Sequence, residues 1–183
     1  MKSQVLTWLL VLVTIPVASA QSRIFTKTGT ISFSAGTDVE DIEGENKSVT
    51  SVVDTGTGQI EFAVLMKGFE FKRALMQEHF NENYVESEKF PKAVFKGQVL
   101  DIVKVNFSKD GSYPVRIMGV LELHGVKKQI EAKATFTVRD GTVAGASDFT
   151  ITIGDFNIII PNAVADKISP TVDVHVSCSY KPL

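Results

Sequence analysis

Alternation of apolar and polar residues constrains the fold of this chain more than any other feature. In the stretch from residue 59 to 67, Ile60, Phe62 and Val64 fall on one side of an extended backbone, whereas Glu61 falls on the other. Successive side chains of a strand point to opposite faces, so this pattern is typical of a strand with one buried face. It recurs over residues 115–123, 130–138, 149–153 and 172–180. The chain is therefore predicted to be all-β.

Short turn sequences separate these strands. Asp110-Gly111, His124-Gly125 and Asp140-Gly141 lie between alternating segments, and a Gly-rich turn follows Asp54. Gly adopts positive φ without steric cost, and Asp-Gly between strands predicts a tight hairpin. We expect an antiparallel barrel of about eight strands, which removes exposed edges by closing on itself. Such a barrel is either filled by side chains or holds one small ligand.

One segment has a helical rather than a strand-like pattern. From about residue 70 to 84, apolar residues recur at spacings of three and four, including Phe71, Leu75 and Phe80. Pro91 cannot continue a helix, and an extended strand is expected after it. The sequence thus predicts one short helical insertion that caps an end or covers a flank of the barrel.

The first 20 residues resemble an export signal. Lys2 precedes an apolar stretch that ends in Ala18-Ser19-Ala20, a small-residue cleavage pattern. We expect a signal peptide at 1–20, a mature domain at 21–183 that begins at Gln21, and a periplasmic or secreted protein with no membrane span after cleavage. Without Lys2 the chain has 18 basic and 21 acidic residues, because the full chain has 19 and 21. This charge balance does not favour binding to nucleic acid.

The ionisable residues do not form a recognisable catalytic or metal-binding motif. The three His residues, His79, His124 and His175, lack the spacing that places two metal ligands on one face. His124 is expected to form hydrogen bonds at a hairpin end, and His175 to face solvent. Cys178, the single Cys, falls on the same side of the last strand as its alternating apolar residues, so we expect it to be buried. We predict no metal, no cofactor and no enzymatic activity.

Acidic residues occur near the first turn and on the helical segment, and the two groups are interpreted separately. Asp38, Glu40 and Asp41 fall in a polar segment and are interpreted as a solvated loop. A competing hypothesis is a hydrolase or isomerase in which His79 works with Glu78 or Glu82 as general base. That hypothesis predicts that His79→Ala abolishes turnover while any bound ligand is retained.

Phe is abundant, with 12 residues in the chain. Six of them lie in the stretch from Phe62 to Phe95, with both of these residues included. They are either ordinary core residues or the lining of a tunnel for a long apolar ligand, since small-molecule pockets are mostly hydrophobic. Composition leaves both interpretations open.

Three sequence pieces resemble the YceI-like family in order and spacing. They are MQEHFNENY at 76–84, EKFPKAVF at 88–95 and GVLELHGV at 119–126, and the likeness extends from about residue 30 to 180. The resemblance implies a lipocalin-like barrel exported to the bacterial envelope. Its elongated cavity would hold a polyisoprenoid, such as an isoprenoid quinone or a polyprenyl carrier, and the segment at 75–97 would form part of the cavity wall.

On this basis we predict a protein that binds a polyisoprenoid or other long apolar ligand. The oligomeric state, monomer or dimer, is left open, and a solid barrel acting as an envelope stress or interaction module is the alternative. Arg73 and His79 are predicted as polar contacts near an opening. The predicted wall residues are Phe62, Val64, Phe69, Phe71, Leu75, Phe95, Ile117, Leu121, Phe136 and Phe149.

Overall fold

The computed structural model describes residues 23–183, and the predicted signal peptide at 1–20 lies outside them. Within this range the chain forms nine strands and one α-helix. The strands are β1 (Arg23–Ser34), β2 (Glu43–Asp54), β3 (Gln59–Leu65), β4 (Glu70–Phe71), β5 (Lys92–Val99), β6 (Gly111–Leu123), β7 (Val126–Arg139), β8 (Thr142–Thr152) and β9 (Thr171–Pro182). The helix α1 (Ala74–His79) continues into a π-helical turn, Phe80–Tyr84.

Eight of the nine described strands close into an antiparallel barrel. The order around it is β1, β9, β8, β7, β6, β5, β3 and β2, and β1 completes the circle because it pairs with both β9 and β2. The two-residue strand β4 adds to the edge of β2. The predicted all-β, lipocalin-like barrel with one short helical insertion is therefore confirmed.

The two ends of the described chain meet at one end of this barrel. Ile24 pairs with Pro182 across β1 and β9, and the N–H of Leu183 donates to the carbonyl of Arg23 at 2.8 Å. These contacts hold the two strand ends side by side.

Inward-facing side chains form two apolar clusters, one in each half of the barrel. We call the half around Val53, Val99, Val115, Phe136 and Tyr180 the filled half. There, a 3₁₀ helix at Ile102–Lys104 in the connection between β5 and β6 adds Ile102 and Val105 to the cluster as a plug.

The opposite half, around Val49, Val64, Phe69, Phe156 and Val174, is the open half. The helical segment and the connection between β8 and β9 lie at this end. The β8–β9 connection contributes Ile153, Phe156 and Ile158 to this cluster, and both segments cover this end of the barrel.

Candidate functional site

The open half encloses a cavity of about 540 Å³. This size falls within the range of roughly 300 to 1,000 Å³ that is usual for small-molecule pockets. Inward-facing side chains of the strands form its wall, since every second residue of a barrel strand points to the interior. Six of the predicted wall residues line it from the barrel strands: Phe62, Val64, Phe95, Ile117, Leu121 and Phe149.

Two Phe rings form the floor of the cavity. Phe62 and Phe95 are cross-strand neighbours on β3 and β5, with ring centroids 6.4 Å apart, and Phe62 packs against both apolar clusters. The Phe95 ring lies over a pair of facing glycines, Gly97 and Gly119. A Cβ added at either glycine would come within 2.6 Å of that ring, so their missing side chains provide its space.

The helical segment forms a roof over the cavity. Leu75 and His79 of α1 line it, and Phe69 and Phe71 line it from the stretch that leads into the helix; these are four further predicted site residues. Phe80 of the π-helical turn stacks on Phe33 of β1 at 5.5 Å. Such aromatic pairs are worth about 0.5–1.5 kcal/mol beyond burial.

Other rings extend the same aromatic cluster. Phe80 contacts Phe71 at 5.0 Å and Phe69 at 5.5 Å between ring centroids, and Phe33 contacts Phe69 at 5.3 Å. The roof is thus fixed to β1 and β4 by ring contacts rather than by helix propensity, since α1 has only six residues.

Phe136 is the one predicted wall residue that the structure places away from the cavity. It is buried in the filled half, where its ring lies 5.7 Å from Phe107 and 6.3 Å from Tyr180. Alternation on β7 correctly indicates that Phe136 points inward. It does not indicate that this end of β7 lies in the filled half.

Three charged side chains converge at the mouth of the cavity. Arg73 forms an ion pair with Glu40, and Lys167 Nζ lies 3.9 Å from the second Glu40 oxygen. All three residues line the cavity. The interpretation of Glu40 as part of a solvated loop is wrong, because its side chain is only 25% exposed and is paired with both cations.

Sequence reasoning also missed the apolar residues that the β8–β9 connection contributes. Ile158, Val164 and Ile168 line the cavity from this segment. The connection contains two 3₁₀ helices, at Ile153–Phe156 and Asn162–Val164, and no strand alternation. The run FNIII at 156–160 was the available signal, because a connection rich in apolar residues is expected to cover a core.

His79 lines the cavity but is solvent exposed, as is its neighbour Glu78 on α1. His124 has the predicted hydrogen-bonding role. Its Nδ1 donates to the carbonyl of Phe156 at 3.0 Å, and its Nε2 lies 2.7 Å from Glu86 Oε2. The carbonyl accepts only, which assigns the proton to Nδ1. His124 thereby joins the β6–β7 turn to the roof and to the β8–β9 connection.

His175 is exposed, as predicted, and it also has a partner that the sequence did not indicate. Its Nδ1 lies 2.6 Å from Asp148 Oδ1 on the adjacent strand β8. The two residues are directly opposite in the register, where side chains are close enough to pair. Both are exposed, so this pair lies on the outer surface.

Cys178 lies in the filled half, and burial raises the pKa of its thiol to about 11. A thiol that stays protonated is a poor nucleophile and a poor metal ligand. Within residues 23–183, no group of three or more His, Cys, Asp or Glu side chains is arranged to hold a metal ion. In the same range, none of the helices has the length and hydropathy required to traverse a bilayer.

Comparison with known proteins finds a matching family model and similar solved structures. A family model described as the YceI-like domain matches residues 13–180. A polyisoprenoid binding domain from Saccharophagus degradans, implicated in plant cell wall breakdown, superposes with a TM-score of 0.76 at 13% identity, covering 88% of this chain and 98% of that one.

BcnA from Burkholderia cenocepacia superposes with a TM-score of 0.70 at 12% identity, covering 84% of this chain and 96% of that one. No curated protein sequence matches the chain. At these identities, the two structures establish likeness of fold.

Proposed function

The chain belongs to the YceI-like domain family, and we propose that it is an exported protein that holds a polyisoprenoid in the cavity of its open half. The ligand is an isoprenoid quinone or a polyprenyl carrier, the location is periplasmic or secreted, and no catalytic step is needed. The observation that carries the proposal is the apolar cavity of about 540 Å³ inside a closed barrel.

Burial of the ligand supplies the affinity in this proposal. Each 100 Å² of apolar ligand surface removed from water contributes about 2.5 kcal/mol. The strands already hold the cavity open, so ordering the protein on binding offsets little of this free energy. A branched, unsaturated hydrocarbon chain suits walls made of Phe, Ile, Leu and Val.

The likeness to the polyisoprenoid binding domain from Saccharophagus degradans supports the choice of ligand class. The cavity favours this function over that of an interaction module with a solid barrel. In that alternative, side chains would meet along the axis in the open half as they do in the filled half.

Two neighbouring residues of β6 offer a matched test. Leu121 lines the cavity, whereas Val120 points away from it and is 42% exposed. Leu121→Trp places an indole in the cavity, and Val120→Trp adds the same side chain outside. Both proteins and the wild type are purified from the native host, extracted with organic solvent and analysed by mass spectrometry.

We expect an isoprenoid lipid in the extracts of the wild type and of Val120→Trp, and a strongly reduced amount with Leu121→Trp. Circular dichroism verifies that both variants remain folded. Wild-type protein without lipophilic material, or equal lipid in both variants, would contradict the proposal and favour a function of the outer surface.

A further inference from the structure

Strands β7 and β8 are paired along only part of their length. Their register runs from the hairpin between them to the pair Lys133 and Asp148, and within residues 23–183 it includes no rung beyond that pair. Residues 126–132 of β7 and 149–152 of β8 stay paired on their other sides, with β6 and β9. The wall of the barrel is therefore split in the open half, between two strands that are each otherwise continuous.

The split borders the cavity directly. Ile130 and Ala132 line the cavity from the edge of β7, and Phe149 and Ile151 line it from the edge of β8. All four side chains are apolar and partly exposed. We call the gap between these two pairs of residues the side opening. Three residues of each strand border it, so at about 3.3 Å per residue it is roughly 10 Å long.

Short contacts close both ends of the side opening. At one end, the hydroxyl of Ser147 donates to the carbonyl of Lys133 at 2.8 Å, beside the last rung. At the other end, the 3₁₀ helix at Ile153–Phe156 lies against β7, and His124 Nδ1 donates to the carbonyl of Phe156 at 3.0 Å. The side opening is thus a bounded gap in the wall rather than a frayed strand end.

A second place where paired strands diverge shows how the wall can be closed. Strands β2 and β3 pair only as far as Thr50 and Ala63. Beyond this rung the buried Asn46 bridges the two strands, because its Nδ2 donates to the carbonyl of Leu65 at 2.9 Å. Among the described residues, no such hydrogen bond joins the two edges of the side opening between its ends.

The charged mouth is a less favourable passage for an apolar chain. Glu40, Arg73 and Lys167 are ion-paired there. A hydrocarbon chain that slides past them displaces the water that solvates them, and removing water from charged groups costs free energy. The side chains that border the side opening carry no charge. A chain must also enter the mouth end-first, whereas the side opening admits a segment of its length at once.

We propose that the side opening is the portal through which an apolar chain passes between the cavity and a lipid bilayer. The inference rests on the proposed function, and it assigns the route of entry rather than the identity of the ligand. The source is a bilayer, since a long hydrocarbon chain is held there rather than in water. Widening the portal breaks no rung of the β7–β8 ladder, because the rungs end at Lys133 and Asp148.

A crosslink across the side opening tests this route. Continuing the register two residues past its last rung places Glu131 opposite Thr150, and both residues are exposed. The double variant E131C/T150C is purified with its lipid and joined by a thiol-reactive crosslinker whose spacer contains a disulfide. R139C/T142C is the matched control, because Arg139 and Thr142 are exposed, directly opposite and already joined by the ladder.

Release of the lipid to phosphatidylcholine vesicles is followed by mass spectrometry of organic extracts, after protein and vesicles are separated at intervals. We expect the crosslink to slow release about tenfold or more in E131C/T150C and to leave the rate of R139C/T142C unchanged. Reductant cleaves the spacer and is expected to restore the rate in the same sample. The buried Cys178 leaves the crosslinking unaffected.

Two further variants assign the effect to the side opening. Ser147→Ala removes the bond to Lys133 at one end of it and is expected to speed release several-fold. A crosslink over the mouth in R73C/K167C is expected to leave the release rate largely unchanged.

The outcomes separate the two proposals. Release that is unaffected by the E131C/T150C crosslink, or slowed only by the R73C/K167C crosslink, would overturn the portal while the proposed function stands. Wild-type protein that yields no lipid on extraction would overturn the proposed function and the portal with it.

Discussion

The two halves of the barrel are built from the same eight strands, yet one is packed solid and the other is hollow. Phe136 and Tyr180 meet near the axis of the filled half, with ring centroids 6.3 Å apart. Phe62 and Phe149, at inward positions of the open half, face the cavity instead. Strand alternation is similar in both halves, so it does not explain the difference.

The connecting segments account for the contrast. In the filled half, the β5–β6 connection inserts Ile102 and Val105 among the strand residues and packs Phe107 against Phe136. In the open half, the roof and the β8–β9 connection cover the end of the barrel. A barrel of this size therefore becomes a container or a solid core according to where its loops place their apolar side chains.

The largest expected effect comes from truncating a ring in each half. Phe136→Ala removes a fully packed side chain and is expected to lower the free energy of unfolding by about 3–5 kcal/mol. Phe149→Ala borders an existing cavity, so we expect a cost of about 1–2 kcal/mol together with weaker lipid retention. Denaturant unfolding and lipid extraction measure both. Equal costs for the two variants would mean that the halves are packed alike.

The next effect concerns the boundary between the halves. In Gly119→Ala, the new Cβ would lie 2.4 Å from the carbonyl oxygen of Lys96, 2.5 Å from the Cα of Gly97 and 2.6 Å from the Phe95 ring. We expect a loss of about 1–3 kcal/mol from overpacking against the β5 backbone and the ring, and reduced lipid capacity as the ring is displaced towards the cavity. Gly154→Ala is the control, because no atom lies within 4 Å of its added Cβ. Unchanged capacity in Gly119→Ala would show that Phe95 is not the floor.

A smaller effect is expected from a polar contact inside the filled half. The hydroxyls of Ser51 and Tyr180 are hydrogen-bonded at 3.0 Å, and both residues are buried. Tyr180→Phe leaves the Ser51 hydroxyl without this partner and is expected to cost about 1–2 kcal/mol. Tyr113→Phe removes a bond to the carbonyl of Lys109 at an exposed site, and we expect a cost below about 1 kcal/mol. Thermal unfolding distinguishes the two.

The smallest effect is a pH dependence in the turn at the filled end. The N–H of Thr57 donates to Asp54 Oδ1 at 2.8 Å, and this bond, with others from Gly56 and Arg23, lowers the Asp54 pKa from 3.8. A carboxyl with a lowered folded pKa stabilises the fold above its unfolded pKa, and this stability is lost as pH falls through the folded pKa.

We therefore expect wild-type stability to decline as pH falls below about 5, and Asp54→Asn to flatten part of that decline. Urea unfolding at several pH values between 7 and 3 measures the difference. Parallel curves for the two proteins would indicate that Asp54 does not contribute.

Local sequence patterns predicted the barrel because its strands follow a simple physical rule. The alternation around Phe62 and Ile117 reports which side chains point inward, and the turns at Gly125 and Gly141, with φ of 73° and 74°, report where the chain reverses. These signals depend on neighbours in sequence. The resemblance to the YceI-like family added the expectation of a cavity, which alternation left open.

Features set by contacts between distant segments were beyond such patterns. The depth of Phe136 depends on the plug from the β5–β6 connection, and Glu40 lines the mouth only because Arg73 and Lys167 arrive there from two other segments. His175 pairs with Asp148 because the register of β8 with β9 places the two residues opposite each other. Nothing in the residues adjacent to these positions encodes their partners.

The hydrogen bond between Leu183 and Arg23 has a practical consequence for any assay of this molecule. Because both termini of the described chain emerge beside the plugged end, a surface tether or fluorescent fusion attached at either one leaves the mouth of the cavity facing away from the attachment. The same proximity makes the protein a candidate for circular permutation, with a short linker joining the old ends and new ends opened at the Asp140–Gly141 hairpin.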